Sequence, residues 1–500
     1  MSKKTLIILG SIIIALGGMV AYIGFQRSSN TIKELKLYFP KEIPVYGMVE
    51  VHLAKPAPVY VDYTEVATGK QFRTTTSPAD TLHQICLMLL KADCEYTYQV
   101  VLDETFAHKT PALSFRTEKY PNYMQNHWFN ESHPHDTTAL GDGLIMTCNG
   151  RLPGNITMID AEGNIRWRFQ LNDIGIRHAT LTPRGTILAL LRPQIKDEVD
   201  DRPLTAEEAH AEEHKKPLRR GAIGFAGGTG LAEIDLQGNL LWRLDLNKVM
   251  EDKELQVIHH DAHMDKDGHI FTLYRPKTVA TFKEDGKTVT DTISGDGILE
   301  IDSLGNVLSK WSAWEHWDIE KDTMLSEYKY DRFHINGMCM DQKGNFLLSA
   351  PIEDQIWKVN RQTGEIEWRM GRNGDFQMNE EDYFSFQHTP YIMENGDLML
   401  FDNGLWNEIS GAKAFRLDEE NKTAQTTIKA MLPAANYTAR MGSAYLLPNG
   451  NLLQCSSKTG SVLITDLQGN ILWQAVMYWA PYRATYVPID SFSKYFKAQN

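Results

Sequence analysis

The sequence predicts an all-β protein: a six-bladed β-propeller over residues 119–500, preceded by a small fibronectin- or immunoglobulin-like β-sandwich over 30–118 and an N-terminal transmembrane helix over 1–29. Three observations predict it. A strand–turn–strand motif recurs six times, a second Gly-turn motif recurs between its copies, and a long uncharged run opens the chain behind two lysines.

In chain order, the first element is the run 5–25 (TLIILGSIIIALGGMVAYIGF), which follows Lys3 and Lys4. Its 21 residues at 1.5 Å each cover about 31 Å, enough to cross a hydrocarbon core of about 30 Å. Secretory apolar regions are shorter, about 7–15 residues, and no A-x-A site follows this one. An uncleaved signal anchor therefore ranks ahead of a cleaved signal, and both rank ahead of a core helix. Either way the lysines stay inside, so the chain from Arg27 onward is expected on the periplasmic side of the cytoplasmic membrane.

Residues 30–118 read as short strands at 36–39, 47–52, 59–63, 95–102 and 112–116, separated by Pro, Gly and charged turns. That pattern suggests the small β-sandwich. No chemistry is visible in it, and a spacer or dimerisation role is the default.

The propeller rests on repetition. One motif reads IDAEGNIRW (159–167), IDLQGNLLW (234–242), IDSLGNVLSKW (301–311), VNRQTGEIEW (359–368), LDEENKTAQ (417–425) and TDLQGNILW (465–473). Each is a strand, a tight turn and a strand, the outer hairpin of a blade. Between the copies lies a Gly turn followed by an apolar strand: PRGTILALL (183–191), KDGHIFTLY (266–274), QKGNFLLSA (342–350), ENGDLMLFD (394–402) and PNGNLLQCS (448–456), with GDGLIMTCN (141–149) as a partial sixth. Two hairpins per repeat make a four-stranded blade, and six blades close a propeller. At about 64 residues per blade the loops must be long. One, 196–220, is rich in Glu, His, Lys and Arg and reads as a solvated, partly helical insertion.

Composition excludes several functions. Lys plus Arg number 51 against 64 Asp plus Glu, a net charge of −13, which argues against nucleic acid as a partner because phosphate capture needs a basic face. Five cysteines exclude a disulfide scaffold, and no CxxC ribbon is present. Cys86 and Cys94 either pair in an oxidising compartment or remain buried thiols.

The candidate site comes from register. Residues just before the inner hairpin turns of a propeller approach its axis. Eight residues before Gly268 is His260; eight before Gly396 is His388; eight before Gly344 is Asn336, with His334 two further back. Seven before Gly185 is His178, and ten before Gly450 is Arg440. Polar residues at equivalent points of five blades are hard to explain as core. The string HHDAH (259–263) adds His259, Asp261 and His263; strand alternation would put 259, 261 and 263 on one face and His260 on the other. A metal needs three or four converging ligands, and no second acidic cluster accompanies the string, so a metal-free site is expected. Trp406, Tyr437, Tyr482 and Tyr486 are candidate aromatic walls for a channel mouth, each equally well explained as packing.

His-His-Asp at 259–261, His-Ile-Asn at 334–336, Gln-His at 387–388 and Phe-Asp-Asn-Gly at 401–404, in this order and context, make the chain resemble the bacterial aryl-sulfate sulfotransferases over most of 120–490. The resemblance implies a six-bladed propeller outside the cytoplasm, a homodimer, no cofactor, and aryl sulfates and phenols as substrates. It implies that His388 is the nucleophile, with His260, His334 and Asn336 contacting the sulfuryl or bridging oxygens, and His259 and His178 alongside. The family usually places an Arg shortly after the strand following His-x-Asn. Here Pro351 or Ile352 stands there, and Arg440 is the cation that the register offers instead.

Sulfuryl transfer resembles phosphoryl transfer, with charge on three equatorial oxygens and the attacking and leaving atoms in line, so catalysis is largely positioning and preorganised donors. Imidazole, with an ordinary pKa of about 6.5, is largely neutral at pH 7 and suits the nucleophile. A covalent sulfohistidine would give ping-pong kinetics, with His334 or His260 as acid and base. The alternatives are a non-catalytic envelope propeller that binds a partner, and a quinone-dependent dehydrogenase propeller. The former has no need of three His and an Asn in register; the latter needs a calcium site.

Overall fold

The computed structural model describes residues 30–39, 45–103, 108–121, 124–125, 127–129, 132–193 and 227–499. The expected anchor (1–29) and the charged insertion (196–220) lie outside them. No helix among the described residues is long and apolar enough to cross a membrane.

Two compact units divide the chain. One comprises the described residues of Met1–Gln125 together with Asn164–Trp167 and Ile489–Asn500; the other comprises Asn126–Gly163 and Arg168–Pro488.

The first unit is a single hydrogen-bonded network of eight strands. Its spine is Gly47–Glu65, in which Val49, Val51, Leu53, Val59, Val61 and Tyr63 alternate inward and are buried. Ile32–Tyr38 and Ser77–Leu87 pair with its first half, and Glu95–Leu102 and Gln71–Thr74 with its second. The register shifts between His52 and Ala57, where Pro56 and Pro58 offer no N–H to a ladder. The sequence signals five strands here, of which 47–52 and 59–63 are one continuous strand. It misses Gln71–Thr74, Ser77–Leu87, His108–Lys109 and Phe496–Gln499, the last of which pairs with Gln71–Thr74 and brings the far end of the chain into this unit. Cys86 and Cys94 are both free thiols.

The second unit contains six blades. Blade 1 runs outward from Ala484–Pro488 through Gly143–Asn149 and Gly154–Ile159 to Ile165–Leu171. Blade 2 is Gly175–Leu181, Thr186–Arg192, Gly230–Asp235 and Leu240–Asp245; blade 3 is Ile258–Met264, Ile270–Tyr274, Gly297–Ile301 and Val307–Ser312. Blade 4 is Gly337–Met340, Phe346–Ala350, Gln355–Val359 and Ile366–Gly371. Blade 5 is His388–Ile392, Leu398–Asp402, Gly411–Asp418 and Thr423–Met431. Blade 6 is Ser443–Leu446, Leu452–Ser456, Ser461–Thr465 and Ile471–Met477, edged by His127–Trp128.

Both motifs fall where their chemistry requires. The outer-hairpin glycines Gly163, Gly238, Gly305, Gly364 and Gly469 have φ of 84, 81, 87, 78 and 87°, and the inner-turn glycines Gly185, Gly268, Gly344, Gly396 and Gly450 lie between 72 and 90°. An L side chain resists this left-handed region and Gly does not. Part of the excess length per blade is a hairpin inserted in blade 3, Lys277–Glu284 against Lys287–Ser294. Blade 1 takes its innermost strand from the C-terminal end of the propeller and the other three from its start, which closes the ring by backbone pairing.

Candidate active site

The innermost strands carry the site, and three of them are irregular at the same level. Blade 2 shifts register between Ile176 and His178, blade 3 between His259 and Ala262, and blade 5 between His388 and Tyr391. His260 and Thr389, inside the last two shifts, have φ of 58 and 52°. Bulges of this kind turn a strand and re-aim its side chains.

The bulge corrects the alternation expected for HHDAH. His259 and His260 do not face opposite ways: their Nδ1 atoms are 2.7 Å apart. His259 is fully buried behind His260, with Nε2 3.2 Å from Asp296 Oδ1. Asp261 and His263 do meet, Oδ1 to Nε2 at 3.0 Å. The string therefore divides between two networks instead of converging on one point. No group of three His, Cys, Asp or Glu side chains among the described residues is arranged to hold a metal ion.

His388 opens the inner strand of blade 5 and is buried. Its Nε2 accepts the Met441 N–H at 3.1 Å, so that nitrogen carries the lone pair. The proton then sits on Nδ1, which donates to Asn403 Oδ1 at 2.8 Å, with the Phe386 carbonyl at 3.1 Å as a second acceptor. Asn403 cannot turn its amide round, because Nδ2 donates to the carbonyls of Thr438 and Met441 at 2.7 and 2.8 Å. Backbone groups thus fix the tautomer of the ring at both ends. Burial, with the nearby His334 and Arg483, brings the His388 pKa down to about 3 against the contrary pull of Asn403. At neutral pH the ring is an uncharged base.

His334 precedes the inner strand of blade 4 in a left-handed conformation (φ 53°), and its Nδ1 is 2.7 Å from Asp331 Oδ2. The His260 ring lies edge-on to His334 at 5.0 Å between centroids, and Phe386 stacks on His334 at 6.1 Å. Asn336 donates from Nδ2 to the Gln387 carbonyl at 2.9 Å, while its buried Oδ1 has no hydrogen-bond partner.

The sixth blade position, which sequence register leaves blank, is Arg483. It lies immediately before the inner strand of blade 1 and is buried. Nη1 donates to Asp261 Oδ2 at 2.9 Å and lies 3.2 Å from His178 Nε2, and Nη2 donates to the Asn336 carbonyl at 3.1 Å. One side chain thereby ties together the inner elements of blades 1, 2, 3 and 4. Arg483, the nearby His263, and the Met338 and Ala262 N–H groups hold the Asp261 carboxyl well below its usual range in spite of burial. His178 is brought down to about 3 by burial and by Arg483. It belongs to this brace.

Tyr482 is the common neighbour. Its buried ring meets those of His178, His260 and His388 at 6.0, 6.1 and 6.4 Å. Arg177 stacks on it at 4.5 Å, and its hydroxyl donates to the Asn336 carbonyl at 2.9 Å. Of the other aromatic candidates, Tyr437 is buried, Tyr486 is half-buried with its hydroxyl on the Asp142 carbonyl, and Trp406 is 70% exposed. Trp406 donates from Nε1 to Asp354 Oδ2 at 2.9 Å, and Asp354 also accepts the Phe386 N–H at 2.8 Å. Burial pushes the Asp354 pKa up to about 6. Arg440 is half-buried, and its carbonyl accepts the Thr438 hydroxyl at 3.0 Å. Pro351 begins a short 3-10 turn, Pro351–Glu353, and is buried.

Fold and site together define a β-propeller whose axis is lined by histidines, a buried arginine and amide side chains. The family model for Arylsulfotransferase (ASST) matches residues 130–472, well over half of the chain. The chain belongs to the arylsulfotransferase family and is a sulfotransferase. No curated protein matches the sequence. Similar solved structures include a protein of unknown function from Bacteroides caccae, at 13% identity and a TM-score of 0.39, covering 69% of this chain and 99% of that one. Virginiamycin B lyase from Staphylococcus aureus is 11% identical with a TM-score of 0.29 (60% and 69% covered), and a streptogramin B lyase is 11% identical with a TM-score of 0.30 (89% and 97% covered). At these scores the likenesses carry no functional argument.

Proposed function

We propose that this protein is a nucleotide-independent aryl-sulfate sulfotransferase that moves a sulfuryl group from a phenolic sulfate ester to a phenol through a sulfohistidine at His388. The observation that carries the reading is the tautomer lock: Nδ1–H is held by Asn403 and Phe386, leaving the lone pair on Nε2, and the ring meets Tyr482, which in turn meets His260. A neutral, buried imidazole with a fixed lone pair is the nucleophile that this chemistry needs.

In the first half-reaction Nε2 attacks sulfur, the N–S bond forms, and the S–O bond to the phenol breaks. The imidazolium that results keeps its Nδ1–H on Asn403 Oδ1, a charge-assisted bond stronger than the one before it. The Met441 N–H, which rests on Nε2, loses that acceptor as the lone pair is consumed and is free to meet a sulfuryl oxygen. His334, oriented by Asp331, and His260 are the acid and base for the departing and arriving phenols. In the second half-reaction a phenol oxygen attacks sulfur and gives its proton to the base, the S–O bond forms as the N–S bond breaks, and neutral His388 is restored.

In this reading Arg483 takes the place of the cation that the family carries after the His-x-Asn strand, acting as a fixed charge below the histidines, and Arg440 has no catalytic part. We further propose that the run 5–25 anchors the enzyme, with the propeller on the periplasmic side, where nucleotide donors are scarce, and that it is a homodimer.

The test uses the soluble chain from about Ser29, mixed with 4-nitrophenyl sulfate with and without phenol. Phenol-dependent nitrophenolate release, and a mass gain of one SO₃ that vanishes in His388→Ala, are expected. Turnover without a mass gain in quenched samples would refute the covalent step.

A further inference from the structure

We propose that Asp296 and His259 form a proton relay behind His260, and that His259 stores the one proton that the two half-reactions exchange. The inference rests on the transferase reading above and assigns a positioning role to His259, a residue that the sequence suggests as a substrate contact.

The three groups stand in a row. Asp296 is fully buried, and its Oδ2 accepts the Ile335 N–H at 3.0 Å. Its Oδ1 is 3.2 Å from His259 Nε2, a close ion-pair contact whose angle falls short of a linear hydrogen bond. His259 Nδ1 is 2.7 Å from His260 Nδ1. Two facing ring nitrogens at that distance share one proton, since two would collide and none would leave two lone pairs opposed. A carboxylate beside Nε2 favours the proton there. Neutral His259 then presents a lone pair on Nδ1, His260 donates to it from its own Nδ1, and His260 Nε2 is left as an acceptor.

The arrangement above is the discharged state, reached once the sulfohistidine has formed; in the free enzyme the relay holds one proton more, so that His259 is the imidazolium beside the Asp296 carboxylate and neutral His260 carries its proton on Nε2, ready for the departing phenolate. When His260 Nε2 takes a proton from the incoming phenol, its Nδ1 proton crosses to His259 Nδ1, the two nitrogens being 2.7 Å apart. His259 becomes the imidazolium, beside the Asp296 carboxylate. When the departing phenolate needs a proton, the sequence runs backwards: His260 gives up the Nε2 proton and recovers one at Nδ1 from His259. The S–O bond broken in one half-reaction and the S–O bond formed in the other are thus matched by one proton removed from the store and one returned.

The surroundings explain why the charge is held one residue back. His260 is buried, and the groups facing it from other elements are His334 in blade 4, Arg275 at the end of the second strand of blade 3, and Arg177 in blade 2. Burial and these neighbours hold His260 well below its usual pKa. Asp331 answers Arg275 (2.7 Å) and His334 (2.7 Å), and its charge is also felt by His259. Asp296 is the carboxylate on the far side, and it touches His259.

The discriminating readout is leaving-group dependence, because an acid relay matters little to an acidic phenol and much to a weakly acidic one. Quenched time courses of the SO₃ mass gain would be recorded for wild type, His259→Gln and Asp296→Asn with 4-nitrophenyl sulfate and with phenyl sulfate. The relay predicts a loss of about 100-fold or more with phenyl sulfate and less than about fivefold with 4-nitrophenyl sulfate. Equal losses on both donors would mean that His259 only supports the fold, and would overturn the relay. No mass gain in wild type would overturn the sulfohistidine reading beneath it, and the relay with it. A second readout needs no activity: ring ¹⁵N shifts in the free wild-type protein should give neutral His260 as the Nε2–H tautomer beside a doubly protonated His259, and the Nδ1–H tautomer there would overturn the proposal even if neither variant folds.

Discussion

Removing Asn403 tests the site at its most specific contact. Its Oδ1 takes the Nδ1–H of His388 at 2.8 Å, and its Nδ2 donates to the Thr438 and Met441 carbonyls at 2.7 and 2.8 Å. Asn403→Leu removes all three bonds at nearly constant volume. The half-buried Met441 carbonyl loses its donor, at about 1–3 kcal/mol, while the Thr438 carbonyl keeps the Ser410 hydroxyl at 3.2 Å, so a stability loss of about 1–3 kcal/mol is expected. The rate effect is separate. A hydrogen bond to a group becoming charged is worth about 1.5–3 kcal/mol, and the Phe386 carbonyl at 3.1 Å retains part of it. Sulfation of His388 should then slow by about 10- to 100-fold.

Asn403→Asp separates the two effects. A carboxylate keeps an acceptor on Nδ1 and raises the His388 pKa by about 1–3 units, from about 3, which still leaves the ring neutral at pH 8. It faces the Thr438 and Met441 carbonyls without a proton to offer, so stability should fall at least as far as in the Leu variant, while the rate of SO₃ addition stays within about tenfold of wild type. The assay is rapid-quench intact mass at saturating 4-nitrophenyl sulfate, with thermal melts on the same samples. A folded Asn403→Leu protein that is sulfated within threefold of the wild-type rate would refute the tautomer argument.

Arg483→Met should lower propeller stability by about 3–5 kcal/mol, because it strands the buried Asp261 carboxylate, and adding Asp261→Asn should recover more than half of that in denaturant midpoints; strictly additive losses would refute the brace. His388 and His178 are both held near pKa 3 in the fold but bind protons near 6.5 when unfolded. The unfolded chain therefore takes up more protons between pH 6.5 and 3, and stability is lost as pH falls through that window, by about 1.4 kcal/mol per unit for each ring. His178→Gln should reduce the slope of melting temperature against pH, and an unchanged slope would contradict the assignment. Asp354 works in the opposite sense, since its folded pKa of about 6 lies above the unfolded value, so ionising it costs stability as pH rises from about 4 to 6. Because Trp406 donates to it, indole fluorescence should titrate near pH 6 and lose that step in both Asp354→Asn and Trp406→Phe.

Much of this was legible because propeller blades are built from local chemistry. A Gly turn between two apolar strands is a short-range signal, and six copies in order leave few alternatives. His178, His260, His334, Asn336 and His388 were readable for the same reason: each lies a set distance before such a turn. Arg483 was not, because the turn that follows its strand in space, near Gly141, lies over three hundred residues before it in the chain. The usable clue was circular closure. Residues 484–488 follow the last repeat with no Gly turn of their own, while the GDGLIMTCN strand has no inner partner preceding it, and each completes the other. His259 was misread for a different reason. Its direction depends on a left-handed histidine, which nothing in the residue type announces. Asn403 stood in a quoted motif, but its grip on His388 depends on carbonyls from the next blade.

The backbone around the axis suggests why so many side chains meet there. Among the described residues thirteen non-Gly residues have positive φ, and six of them, His260, Phe333, His334, Phe386, Thr389 and Met441, lie on or beside the site. Each such residue costs about 1–3 kcal/mol and persists only where its surroundings over-determine it. In a regular propeller, inner strands run along the axis and present alternate side chains to it, too far apart to share a proton or a sulfuryl group. The left-handed residues break that alternation. They bring two consecutive rings together at His259 and His260, turn Phe386 so that its carbonyl meets the His388 ring, and set the Met441 N–H on Nε2. The surrounding burial and cross-blade hydrogen bonds, Arg483 foremost, supply the stability that holds these conformations. On this view the brace and the site are one device: the axis is tied rigidly so that its backbone can be strained, and the strain is what aims the histidines.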